Sequence, residues 1–542
     1  MAFFRRAVLH PFLMAVYPII ALLAYNIDQV VAWSALRALI ISLVIAMILY
    51  LMVYTLVQEK FKAAVAVTIF LFLFYTYGHA YSFIEDIHVF SLNIGRHRYL
   101  FLIWLALLGL GLWWVFGKPR DLSKLHSALN IAGCVALLLP VMQIAVYVGF
   151  ESNPDVDTAN AASSGHEINL SASSGSAEGH DLYPDIYYII LDAYTRGDTL
   201  REYFNYDNEP FLSALEAMGF YVARCSQSNY SNTQLSLASS LNLNYLDTLN
   251  ARGESITSSS FLNRLIATNA VRKALERVGY RTVVIESGFS PTEWQDADVY
   301  ISLRQDLSGV LNLLGGISPF EALVMRTSGA LLLYESKPLL PARVRSFLDA
   351  AYTQHRQRIL FAFDQLNEVP LLPGPKFVFV HIIAPHEPFV FGPLGEIVGR
   401  NTPFSLNDDW DTRDAKAYHQ GYRDQLIYVN TRIEETTREI LEKSVKLPII
   451  IFQGDHGTLA RVSSQSARMT ILNAYYLPDG GDKLIYDSIS PVNTFRLVFD
   501  HYFGSNLGFL EDTSFYYDKM TGSFLTIPNQ LQGCAGRDGV AQ

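Results

Sequence analysis

Five long apolar runs follow one another before residue 150, at roughly 7–26, 33–57, 63–84, 98–117 and 127–150. Each is near the ~20 residues that a helix needs to cross a ~30 Å hydrocarbon core. Five in succession argue against the alternative, buried core helices of a large soluble protein. The first run follows "FFRR" but leads into a second and has no small-residue cleavage site, so it reads as an anchor and not as a signal peptide. Arg5 and Arg6, then Lys60 and Lys62, then Lys118, Arg120 and Lys124 can all lie on the cytoplasmic side together. The intervening loops carry Asp28, and Glu85 and Asp86 with Arg96 and Arg98. An odd number of spans then puts everything after residue 150 outside the cytoplasm.

The net charge of −10, with no basic run interleaved with aromatics, excludes nucleic acid as an expected partner. Of three cysteines, Cys134 lies in the fifth run, while Cys225 and Cys534 lie in the exported part, where a disulfide can persist. Their spacing leaves the pairing open. No CxxC spacing exists, so they do not form a metal cluster.

Residues 151–183 are rich in Ser, Ala and Gly without apolar periodicity and read as a flexible linker. A second domain is expected over 184–530, with 531–542 as a tail. Within it, "DIYYIILDAY", "GFYVARCSQ", "YRTVVIES", "KFVFVHII" and "LPIIIFQGDHG" are strands by composition, separated by helical patterns such as "YRDQLIYVNTRIEETTREILEKS". Alternation at this length predicts an α/β domain with a mostly parallel sheet between helices.

In such a fold, functional groups gather beyond the carboxyl ends of the strands. Reading those ends yields Asp192, His381 and the adjacent Asp455 and His456, with Thr233 reached from the "YVARCSQ" strand through a polar loop. Asp, His and a hydroxyl at one sheet edge suit a divalent cation. A Thr oxygen touching such an ion becomes more acidic and hence a nucleophile at neutral pH. The bland readings are a turn or helix cap for Asp192 and a backbone-satisfied strand end for His381. Glycines on both sides make "GDHG" harder to dismiss.

Taken in order, these residues resemble the alkaline phosphatase superfamily, in its sulfatase-like branch. "IILDAYTRGD" looks like the opening strand with its metal-binding acid, and "TQLSLASSLN" is similar to the nucleophile helix, with Ser at +3 and +6. "HIIAPHEPF" and "GDHG" look like the later His-rich and metal motifs. The resemblance covers about residues 184–480. A five-span anchor before such a domain is also the arrangement of the lipoteichoic acid synthases and the phosphoethanolamine transferases. This chain departs from the sulfatases: Thr233 stands where they convert a Cys or Ser to formylglycine, Leu237 where they have Arg, and Ala193 where they have a second Asp. The extra methyl of Thr233 would leave a ketone at best, which argues against sulfate-ester hydrolysis.

The resemblance implies a metal-dependent enzyme of a bacterial inner membrane, multi-pass, with its catalytic domain outside the cytoplasm. Zn²⁺ or Mn²⁺ would be held by Asp192, Asp455, His456 and the Thr233 oxygen. Thr233 would attack a phospholipid headgroup, phosphoglycerol or phosphoethanolamine, and a phospho-threonine intermediate would pass it to an envelope glycan or lipid. His386 would contact phosphoryl oxygens or protonate the leaving alkoxide, with His381, Arg196 and His419 as substrate contacts; for Arg196 the structural reading, a cap on the helix after the first strand, is the favoured one. The alternatives are a membrane-anchored phosphodiesterase, phosphatase or sulfuric ester hydrolase, and a non-catalytic scaffold in polysaccharide export.

Overall fold

The structure is a computed structural model. It describes residues 6–27, 30, 32–85, 87–89, 92–93, 95–118, 120–151, 168, 170, 183–250, 255–303, 316–406, 415–458, 465–518, 520–529 and 534. Apart from a few positions, the expected linker 151–183 and tail 531–542 lie outside the described residues. The rest fall into two compact units: residues within 1–153, 305–353 and 399–405, and residues within 154–304, 354–398 and 406–542.

The first unit holds α1 (His10–Tyr25), α2 (Leu36–Val57), α3 (Lys60–Ile84), α4 (His97–Phe116) and α5 (Ser123–Glu151). Among the described residues, four helices are long and apolar enough to cross a membrane, those containing α2 to α5. α1 is also apolar but has only 16 residues, short of the ~20 that a full span needs. Ile48, Leu102 and Leu139 stand exposed on α2, α4 and α5, as side chains facing lipid do. Small residues bring the helices together: Ala15 and Ala46 pack with Val67 and Leu71. Polar groups add to the packing. The Ser42 hydroxyl donates to Ala15 O at 2.8 Å, and the His10 ring lies 2.6 Å from Thr68 Oγ1 and 3.1 Å from His126 Nδ1.

The second unit is built on a seven-stranded sheet. Its strands are β1 (Ile186–Leu191), β2 (Tyr221–Val222), β3 (Arg281–Ile285), β4 (Val299–Ile301), β5 (Lys376–Ile382), β6 (Ile449–Gly454) and β7 (Asn473–Tyr476). They run in the order β2-β7-β6-β1-β5-β3-β4. β5 and β6 flank β1 in parallel, and β7 is antiparallel to its neighbours β6 and β2. Every residue of β1, β5 and β6 is buried, which explains why these segments read as unbroken β-branched and aromatic runs and not as alternating ones.

Register then sets the chemistry. Leu191 pairs with Ile382 on one side and Gly454 on the other, so Asp192 and Asp455 both follow at the same level. His381 pairs with Ile190 one step below. Three ligand-type residues far apart in sequence therefore meet where three parallel strands end.

"FLNRLIATNAVRKALERVG" divides into Ser259–Ala267 and Ala270–Arg277, because Asn269 accepts from Arg272 N at 2.8 Å and starts a new helix. The C-terminal stretch forms the helix Pro491–Phe503 and then a hairpin, Phe515–Asp518 with Ser523–Thr526. Cys225 and Cys534 are joined in a disulfide, which ties Cys534 of the expected tail to the second unit.

Candidate metal centre

Asp192, His381 and Asp455 each point one ligand atom into a common space, the three atoms lying within 4.8 Å of one another. His381 Nε2 is 3.3 Å from Asp192 Oδ2. His456 Nε2 is 3.3 Å from Asp455 Oδ2 and 3.7 Å from Asp192 Oδ1. Thr233 Oγ1 lies 3.2 Å from His456 Nε2. All but Thr233 are buried.

Each side chain is aimed by its neighbours. Asp455 Oδ1 accepts from Ala193 N and His456 N, both at 3.0 Å, which leaves Oδ2 turned to the shared space. His456 Nδ1 lies 3.0 Å from Gly457 O. A carbonyl only accepts, so the proton sits on Nδ1 and Nε2 offers a lone pair. The same logic holds for His381, whose Nδ1 is 3.2 Å from Thr292 Oγ1. Thr292 gives its own proton to Phe289 O at 3.0 Å and so accepts from Nδ1.

The buried atoms Asp192 Oδ1, His381 Nε2 and Asp455 Oδ2 have no hydrogen-bond partner within the protein. Two carboxylates and a lone pair facing one another, out of water, are costly by several kcal/mol per ion unless a cation joins them. The residues present therefore fit a divalent metal ion. Charge distribution agrees. Burial and the neighbouring Asp192 carboxylate push the Asp455 carboxyl up to about 6. Asp192 goes the other way: burial opposes ionisation, but the nearby His386 imidazole is the chief influence against it, and the carboxyl is held well below the usual carboxylate range.

Thr233 opens helix α6 (Thr233–Ser240), whose preceding residue Asn232 supplies the cap by accepting from Leu235 N at 2.9 Å. Thr233 is thus released from capping, and its hydroxyl is free to face the carboxylates. His386 lies between the cis peptides Ala384–Pro385 and Glu387–Pro388, with its ring 6.4 Å from that of His456. Burial alone would lower the His386 imidazole, but the Glu387 and Asp192 carboxylates outweigh it and raise the pKa above the ordinary value. Ala193, where a second acid was absent from the sequence, takes a left-handed φ of 58°. The conformation is held by Asp455 on its N–H and by the Tyr422 hydroxyl, which donates to Ala193 O at 2.7 Å.

Two expected substrate contacts are occupied elsewhere. Arg196 is buried and engaged by Asp198 at 2.8 Å, by Ser226 O at 3.0 Å and by Asn529. His419 is half-buried and rests on Phe204, with ring centroids 4.7 Å apart. Sequence reasoning overlooked Arg468. Its Nε donates to Ser231 O at 2.8 Å and its Nη2 reaches to 3.3 Å from His456 Nε2, which puts a guanidinium beside Thr233. It sits after a stretch with no strand pattern, and no spacing marked it.

No family model matches the chain, and no curated protein does. Among solved structures it is similar to the C-terminal periplasmic domain of EptC from Escherichia coli, at 12% identity and a TM-score of 0.41, over 66% of this chain and 95% of that one. The integral membrane protein lipooligosaccharide phosphoethanolamine transferase A from Neisseria meningitidis matches at 12% identity and a TM-score of 0.36, over 92% of this chain and 95% of that one. Phosphonate monoester hydrolase of Agrobacterium radiobacter matches at 15% identity and a TM-score of 0.37, over 63% and 82% respectively. At these values the likenesses carry no weight for function, which rests on this chain's own residues.

Proposed function

We propose that this chain is a membrane-anchored, metal-dependent phosphotransferase of the alkaline phosphatase superfamily, multi-pass in a bacterial inner membrane, with α1 as a fifth, shorter span. The observation that carries this reading is the convergence of three unpartnered buried ligand atoms on Asp192, His381 and Asp455, with a threonine hydroxyl 3.2 Å from the adjoining His456.

Asp192, Asp455, His456 and Thr233 Oγ1 hold the ion, and His381 joins them in place of the substrate contact first expected of it. Two imidazoles among the donors favour Zn²⁺ over Mn²⁺. When bound, the ion neutralises charge that builds up as phosphorus is attacked. Thr233 Oγ attacks the phosphorus of a phospholipid headgroup in line, passing its proton to solvent, and the diacylglycerol oxygen leaves. His386, raised by its carboxylate neighbours, carries the proton that this alkoxide takes up. Arg468 and the first amides of α6 hold the phosphoryl oxygens. An acceptor hydroxyl on an envelope glycan or lipid then attacks the phosphorus of phospho-Thr233 and gives its proton to His386, left neutral by the first step. The Thr233 oxygen leaves and takes up a proton from solvent.

The test is transfer itself. The purified chain is incubated with headgroup-labelled phosphatidylethanolamine or phosphatidylglycerol, with and without an envelope lipid fraction. Label moving onto the acceptor supports the reading. Free labelled headgroup at the same rate in both conditions makes the protein a hydrolase, and no turnover with a metal-loaded enzyme favours a scaffold.

A further inference from the structure

Residues 316–348 fall inside the second domain expected over 184–530, yet they pack within the membrane-helix unit. Phe320 is buried against Ile19, Leu23 and Ala38 of α1 and α2. Gly329 N donates to Phe74 O at 2.7 Å. Gly78 of α3 lies so close that a Cβ there would sit 2.2 Å from Arg326 O. Arg37 of α2 binds both carboxylate oxygens of Glu321 and donates to Gly316 O at 2.7 Å. The contacts fall at the start of α2 and late in α3, the helix ends that the basic loops place on the outer side of the membrane.

Those contacts come from 316–329; in the part that follows, Tyr334 donates to Leu348 O at 2.9 Å. That part leaves apolar side chains exposed: Leu333 45%, Leu339 88%, Val344 39% and Phe347 40%. Arg343 and Arg345 are exposed between them. Apolar side chains alternating with free cations, continuous with membrane-crossing helices, suit the headgroup boundary of a bilayer.

We propose that residues 331–348 form an interfacial anchor on anionic phospholipid of the outer leaflet. Leu339, Val344 and Phe347 enter the acyl boundary, and Arg343 and Arg345 bind lipid phosphates. The inference rests on the membrane-spanning reading of α2 to α5 but not on the chemistry at Thr233.

Spin labels at Leu339→Cys and Phe347→Cys, each in the full chain with Cys134→Ser, test this in nanodiscs holding one copy. Labels at Leu139→Cys on α5 and at the exposed Val445→Cys serve as lipid and water references. In discs containing phosphatidylglycerol, the ratio of oxygen to aqueous nickel collisions is expected to be several-fold above the Val445 value at both sites. It should drop toward that value with the Arg343→Glu, Arg345→Glu pair. Water-like ratios at both sites, with Leu139 still lipid-like, overturn the anchor alone. A water-like Leu139 overturns the spanning reading. Indifference to charge reversal removes the anionic lipid. Protection appearing only in two-copy discs makes a second chain the occupant and overturns the lipid proposal.

Discussion

Thr233 Oγ1 lies 3.2 Å from His456 Nε2, so the hydroxyl that opens α6 shares one space with the imidazole that follows β6. Asn232 performs the capping that Thr233 would otherwise perform. A helix start and a strand end thereby place a nucleophile candidate against a ligand cluster, with no change to either element's own hydrogen bonding.

If a metal relieves the unpartnered atoms, losing one carboxylate should lose the metal. Asp455→Asn and Asp192→Asn are expected to purify with far less than one equivalent by elemental analysis, while the wild type holds about one. His381→Ala removes a direct ligand and should likewise purify with far less than one equivalent. Stoichiometric metal in Asp455→Asn would reject this cluster as the site.

Proton competition sets the pH dependence. The Asp455 carboxyl, pushed up to about 6, must lose its proton before it can bind a cation. Burial and Arg468 hold His456 well below its ordinary value, so it stays neutral and does not compete. Metal affinity is therefore full above about pH 6 and falls as pH drops through it, by up to about tenfold per unit. Chelator competition at graded pH reads this directly, and a flat affinity between pH 5 and 7 would contradict it.

Arg468 should act on the phosphoryl group and leave the fold intact. Arg468→Ala is expected to cost about 10²-fold in kcat/KM, with Arg468→Lys restoring part of it, because Lys keeps the charge but not the fork. Full activity in Arg468→Ala would remove it from the site.

Arg37 and Glu321 offer a stability test away from the chemistry. Arg37→Ala leaves the Glu321 carboxylate largely buried without its cation, and about 3–5 kcal/mol of stability should be lost. Thermal unfolding in nanodiscs measures it, and a loss within a few tenths of a kcal/mol would show the pair to be idle.

Asp192, His381, Asp455 and His456 were legible because each ends an unbroken apolar run, and parallel strands deliver their ends to one edge. Their mutual distances were not, since these depend on the register of β1 with β5 and β6, which no local pattern encodes. Thr233 was legible from the polar run around it. Arg468 was hidden because its contacts with Ser231 and His456 are tertiary ones made from the short helix Gln465–Met469. Arg196 looked available because a sequence does not show that the Asp198 carboxylate and the carbonyl of Ser226 take up its guanidinium. The packing of 316–348 was hidden too, because contacts such as Arg37 with Glu321 and Gly78 against Arg326 join residues far apart in the chain.

The central claim is that Thr233 carries the transferred group. Mass spectrometry of the peptide containing Thr233, after brief exposure of the metal-loaded enzyme to phosphatidylethanolamine or phosphatidylglycerol, tests it most directly. The account predicts a headgroup-phosphoryl adduct on Thr233 with one donor, absent from Thr233→Ala, which should also lose transfer. Full transfer by Thr233→Ala, or an adduct on another residue that forms and decays with turnover, would contradict it.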